Sequence, residues 1–160
     1  IDDSCFARRE RGELPDVYVQ RLAATKAEAV AERHPSGLVL GADTTVVIDE
    51  QIIGKPIDIA DARRMIGMLA GRWHEVLTGV AVVNAGSVQV GLQRTRVKFA
   101  DINEAEISFL AERGDPLDKA GAYAVQAQAA LFIEGIEGDY WNVVGLPISL
   151  VYRLIRQQTS

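Results

Sequence analysis

Cysteine is nearly missing from this chain. Cys5 stands alone in 160 residues, so no internal disulfide can form. Two histidines complete the set, and none of these residues has zinc-like spacing. These absences favour a reducing cytoplasm over an oxidising compartment. Positive charge is also short: 17 Lys and Arg stand against 22 Asp and Glu, a net −5. That balance excludes the broad basic face of a nucleic-acid binder, while leaving room for a small anion held by a local group of cations. No apolar run approaches the ~20 residues that a membrane-crossing helix needs, and no signal-like stretch opens the chain, so no membrane partner is expected. The glycine-rich lysine loop of the P-loop nucleotidases is missing as well. The chain opens Ile1-Asp2-Asp3 without a methionine, as a fragment would.

What is present suits one globular domain over residues 1–160. At 48% hydrophobic and 24% charged, the composition is ordinary. A chain of this length buries roughly 68–70% of its unfolded surface, enough for a core without disulfides or a structural metal. From Pro15, apolar residues recur at three- and four-residue steps (Val19, Leu22, Ala23, Ala27, Val30), predicting a helix that His34-Pro35-Ser36-Gly37 ends. A strand is expected over 38–43, then a hairpin around Asp49-Glu50. A helix capped by Asp58 and stopped by Gly71 follows. His74–Val83 and Ser87–Phe99 read as strands joined across Asn84-Ala85-Gly86. Asn103 and Glu106 have capping-box spacing. Ala129–Ile136 reads as strand, and Pro147–Arg156 as a closing helix. Helices mixed with hairpins indicate an α/β or α+β domain with a mixed sheet.

Chemistry concentrates in Gly41–Pro56, where a carboxylate, hydroxyls and a lone lysine surround a short apolar strand. Asp43 reads as a residue at a strand end, where α/β sheets place ligands, or as a simple turn cap. Lys26 lies on the first helix and Lys55 in a Gly-Lys-Pro turn, while Asp118-Lys119 opens a glycine-containing loop. A phosphate chain needs cations, a carboxylate to hold a metal or activate water, and an amide to read a base edge. Lys26, Lys55 and Lys119, Asp43, and Gln126 supply these types. Each lysine also reads as a solvated surface residue; Lys119 reads best as a partner of Asp118, and Gln126 alternatively as a strand residue facing solvent.

Taken together, several pieces resemble the Maf-like proteins in order and spacing: Gly41-Ala42-Asp43-Thr44, Gly54-Lys55-Pro56, Ala70-Gly71 with His74, and Thr78-Gly79-Val80. Asp118-Lys119-Ala120-Gly121-Ala122-Tyr123 with Gln126, and Val144-Gly145-Leu146-Pro147, complete the set. The resemblance covers essentially the whole chain. It implies a Maf/ITPase-like mixed β-sheet flanked by helices, with a substrate cleft between two lobes. The implied activity is a nucleoside triphosphate pyrophosphatase that releases a nucleoside monophosphate and pyrophosphate, in a house-cleaning role. The alternative is a nucleotide-binding regulator of septum formation with little turnover. Asp43 matches the family's proton acceptor and metal-binding position, acting with Mg²⁺ or Mn²⁺. Lys55 and Lys26 match phosphate contacts. Thr44 and Gln126 match positions linked to base choice, and the motifs look like the dTTP/UTP branch. A homodimer is implied too.

Two departures accompany the match. Nothing corresponds to the family's amino-terminal strand and its Ser-x-Ser-Pro-Arg-Arg motif, so weak substrate binding is expected of the chain as given. Asp3 falls where a metal-binding glutamate is usual, keeping the charge on a shorter arm. Gln126-Ala127 replaces the usual Gln-Gly.

Overall fold

The computed structural model describes residues 9–158. In chain order the elements are α1 (Pro15–Ala31), β1 (Val39–Ile48), β2 (Gln51–Ile53), α2 (Ile59–Leu69), β3 (Trp73–Asn84) and β4 (Ser87–Phe99). They continue with α3 (Glu104–Arg113), β5 (Ile133–Glu137), α4 (Tyr140–Val144) and α5 (Ile148–Gln158). The strands form one five-stranded sheet in the order β2-β1-β3-β4-β5, accompanied by the helices of an α/β fold.

Local chemistry accounts for most boundaries. Pro15 starts α1, where its missing N–H costs nothing because first-turn amides have no intrahelical partner. The Asp58 carboxylate accepts from the Asp61 amide at the start of α2. Asn103 and Glu106 close a full capping box on α3, each side chain accepting from the other's backbone N–H. Between β1 and β2, Asp49 and Glu50 take φ of 49° and 62°, the left-handed pair that a tight two-residue hairpin turn requires. The strands pair antiparallel, with Val46 opposite Ile53 and Ile48 opposite Gln51. Ala85 and Gly86 repeat that turn between β3 and β4. β5 closes the sheet antiparallel to β4.

Contacts group the chain into two compact units. The first comprises the described residues through Thr44, then Leu77–Gln93, then those from Gly145 onward; the second comprises Thr45–Val76 and Arg94–Val144. In the first unit, strand alternation divides the apolar residues between two helices. Val39, Ala81 and Val83 pack with Ala23 and Ala27 of α1. Val80 and Val82 pack with Leu150 and Leu154 of α5. The second unit has its own core, where Met65, Ile66 and Leu69 of α2 and Ile107 and Leu110 of α3 meet Val76, Val97 and Phe99 of the sheet.

The structure corrects three expectations. Asp43 lies in the middle of β1, neither at a strand end nor on a turn, because the strand continues to Ile48. Gly41 lies inside β1 as well. A Cβ there would stand 2.4 Å from the Ala23 carbonyl oxygen and 2.9 Å from the Ala27 Cβ, so the glycine is a contact point for α1. The stretch 129–136 is not one strand: Gln128–Leu131 forms a 3-10 turn and β5 begins only at Ile133. Short apolar runs look alike in strands and in buried turns, which is why periodicity misjudged it. Finally, α1 ends at Ala31, three residues before His34.

Candidate active site

Lys26 follows the buried stripe of α1, three residues after Ala23 and four after Leu22, so its stem leaves the helix on the core-facing side. Such a position is poor for an ammonium group unless a carboxylate answers it. Asp43 does so. It shares a face of β1 with Gly41, two residues earlier, and Gly41 is where α1 touches the strand. Gly79 on β3 provides a second close approach, because a Cβ there would lie 2.2 Å from the Val19 carbonyl oxygen. With the helix seated on two glycines, Lys26 Nζ donates to Asp43 Oδ1 at 2.7 Å. The side chains are 21% and 16% exposed, so the pair is partly withdrawn from water while still reachable by a ligand. Tyr18, about two turns earlier on the same side of α1, has its phenol pushed up first by burial and then by the negative charge of Asp43.

Thr44 points to the opposite face of β1 and shares a hydrogen bond of 2.8 Å with the Thr78 hydroxyl. Adjacent in sequence, Asp43 and Thr44 therefore act on different sides of the sheet. The sequence suggested Thr44 but not its partner Thr78. Only the cross-strand register reveals that pairing.

Lys55, Lys119 and Gln126 belong to the second unit. There the Gly-Lys-Pro turn is tied to the Asp118–Tyr123 loop, since the Gly121 amide donates to the Gly54 carbonyl at 3.0 Å. Gly121 has a φ of 71°, and a Cβ on it would meet the Val46 side chain at 2.8 Å. Glycine is required both for that conformation and for that fit. Lys119 donates to Asp118 at 2.6 Å and to the Asp115 carbonyl at 3.0 Å. The Asp118 carboxyl is held below its ordinary value, chiefly by its hydrogen bond from Lys119, with a smaller contribution from the Lys55 charge. Two cations thus share the neighbourhood of one exposed loop. Gln126 lies exposed three residues beyond Tyr123, outside any strand. Asp3 falls outside the described residues.

Against this geometry, the family comparison is decisive. The model for Maf-like proteins matches residues 2–158. The chain belongs to the Maf-like family. Among curated relatives, a Koribacter versatilis protein named dTTP/UTP pyrophosphatase is 51% identical over 91% of this chain and 76% of its own length. Proteins with the same name from Symbiobacterium thermophilum and a Geobacillus strain are 48% and 47% identical, each over 89% of this chain and 74% and 77% of their own lengths.

As a ligand set for a divalent cation, the Maf-like site offers Asp43. Among the described residues no group of three or more His, Cys, Asp or Glu could hold a metal ion. Mg²⁺ keeps several waters and is commonly held by one or two carboxylates together with substrate phosphates.

Proposed function

We propose that this chain hydrolyses dTTP and UTP between the α- and β-phosphates, giving the nucleoside monophosphate and pyrophosphate. The observation carrying this reading is the extended similarity to proteins named dTTP/UTP pyrophosphatase, at 51% identity over 91% of the chain. The paired Lys26 and Asp43 and the two lysines near Asp118 are in keeping with it.

In this mechanism water attacks the α-phosphorus, its proton passes to the Asp43 carboxylate, and the bridging bond to the β-phosphate breaks. Pyrophosphate leaves with the electron pair. An ionised carboxylate only accepts hydrogen bonds, so Asp43 can orient that water before taking its proton. Lys26 fixes the carboxylate in the free protein and is within reach of anionic oxygens brought to it. Lys55 and Lys119 neutralise charge growing on the leaving pyrophosphate. Gln126 donates to O4 and accepts from N3–H of thymine or uracil, and Thr44 supports base choice from its own face. Mg²⁺ or Mn²⁺, held by Asp43 and by Asp3, would supply further charge neutralisation.

We extend the reading to a homodimer acting on free nucleotides in the cytoplasm. No helix among the described residues is long and apolar enough to cross a membrane. The test is incubation with Mg²⁺ or Mn²⁺ and separate samples of dTTP, UTP, CTP and GTP, with chromatographic separation of products. Monophosphate and pyrophosphate from dTTP and UTP support the assignment. Nucleotide binding without turnover favours the septum-regulator alternative.

A further inference from the structure

His74 and Tyr123 lie in separate sequence motifs, and the second unit joins them in its interior. His74 Nε2 and the Tyr123 hydroxyl are 2.7 Å apart. Phe99 packs edge-on against both rings, at centroid distances of 5.4 Å from His74 and 4.9 Å from Tyr123. His74 is 2% exposed and Tyr123 7%.

The proton count in this pair is unfavourable. Neutral histidine carries one ring N–H and tyrosine one O–H, but a single hydrogen bond uses only one of the two protons. Whichever group donates, the other hydrogen has no acceptor among the described residues. His74 Nδ1 has no hydrogen-bond partner there either. Replacing both partners by apolar groups of similar shape is often neutral or stabilising, so the polar pair is a poor choice for stability alone. What the bond does provide is a fixed position for Tyr123, the last residue of the loop that carries Asp118 and Lys119. That loop also holds Gly54 through Gly121.

We propose that His74 is a positioning residue: by bonding the Tyr123 hydroxyl it fixes the Asp118–Tyr123 loop, and with it Lys119, the Gly54-Lys55 turn and Gln126 three residues further on, in the geometry that receives the nucleotide. The proposal rests on the pyrophosphatase reading for its kinetic consequence, whereas its structural consequence can be measured without turnover.

The experiment compares the parent chain with Tyr123→Phe, His74→Leu, the double variant, and His74→Gln, which restores a side-chain amide in place of the ring nitrogen. Kinetics with dTTP and Mg²⁺ are read beside thermal melting and tryptic cleavage after Lys119. Tyr123→Phe and His74→Leu should raise KM roughly three- to tenfold, with kcat changed by less than about twofold, the size expected for one buried hydrogen bond acting on binding. The double variant should be no worse than either single variant, should melt at or above the parent, and His74→Gln should recover part of the KM. Tryptic cleavage after Lys119 should be faster in both single variants. Parent-like KM and parent-like cleavage in Tyr123→Phe would overturn the proposal. Should the parent itself hydrolyse no nucleotide, the functional reading fails, and cleavage alone decides the positioning role: faster cutting supports it and unchanged cutting refutes it.

Discussion

Lys26 Nζ and Asp43 Oδ1 meet at 2.7 Å although 17 residues separate them, one on α1 and the other mid-way along β1. The contact exists because Gly41 and Gly79 allow the helix backbone to lie against both strands. With its partners partly buried, the pair differs from the exposed ion pairs of Arg72 with Asp49 and Arg96 with Glu137. Exposed pairs contribute little; partly desolvated ones matter more when one partner is removed.

Removing the ammonium should therefore be felt in stability as well as in activity. Lys26→Met leaves a partly buried carboxylate without this partner and should destabilise by about 1–2 kcal/mol in urea unfolding. Substrate affinity should fall in parallel. Unchanged stability together with unchanged KM would show that the contact is incidental.

The two glycines under α1 make a stricter prediction. A methyl at Gly79 would stand 2.2 Å from the Val19 carbonyl oxygen, and one at Gly41 2.4 Å from that of Ala23. Both atoms are backbone, so the helix itself must lift. Gly79→Ala and Gly41→Ala should each cost about 1–3 kcal/mol, the usual range for overpacking, and should lower turnover by displacing Lys26 from Asp43. Denaturant melts with parallel dTTP assays check both effects.

Acid should weaken the fold through His74. Burial lowers its pKa from 6.5 to about 4. The unfolded chain then binds the proton more readily than the folded one, so stability is fully present above pH 6.5 and is lost as pH falls towards 4. The slope of this contribution should approach ~1.4 kcal/mol per pH unit inside that window. Urea midpoints across the window should show it for the parent, and a much shallower dependence for His74→Gln.

Helix α3 gives a test independent of the site. Asn103 accepts from the Ala105 and Glu106 amides at 2.9 and 3.1 Å. Asn103→Ala should cost about 1 kcal/mol, typical of a lost cap, and leave dTTP turnover unchanged. A marked kinetic effect would mean that α3 has a role beyond supporting the core.

Chelation tests the cation. Added EDTA should abolish dTTP hydrolysis, and Mg²⁺ or Mn²⁺ should restore it, while the melting temperature stays close to that of the untreated chain. Activity persisting in excess chelator would remove the metal from the mechanism.

Much of this was legible in the sequence wherever the signal is local. Asp58 and the Asn103-Glu106 box fix helix starts within four residues, and Asp49-Glu50 and Ala85-Gly86 mark hairpins through their own backbone requirements. The candidate site residues could be named one at a time, because a carboxylate, lysines and an amide are the groups that phosphate and base chemistry need and because they fall in motifs that resemble the Maf-like proteins. Their pairings could not. Lys26 reaches Asp43 only through the docking of α1, and Thr44 turns away from Asp43 because alternate residues of a strand face opposite sides, which matters only once Asp43 is known to lie inside β1. The His74–Tyr123 bond was hidden for the same reason: 49 residues intervene, and neither residue advertises the other.

The most direct measurement is dTTP hydrolysis in water labelled with heavy oxygen, with products weighed by mass spectrometry for the parent and for Asp43→Asn. The account predicts dTMP carrying the label, unlabelled pyrophosphate, and a loss of roughly 100-fold or more in kcat for the variant, as expected for removal of a general base. Label in pyrophosphate, dTDP as the product, or an Asp43→Asn chain that turns over like the parent would contradict it.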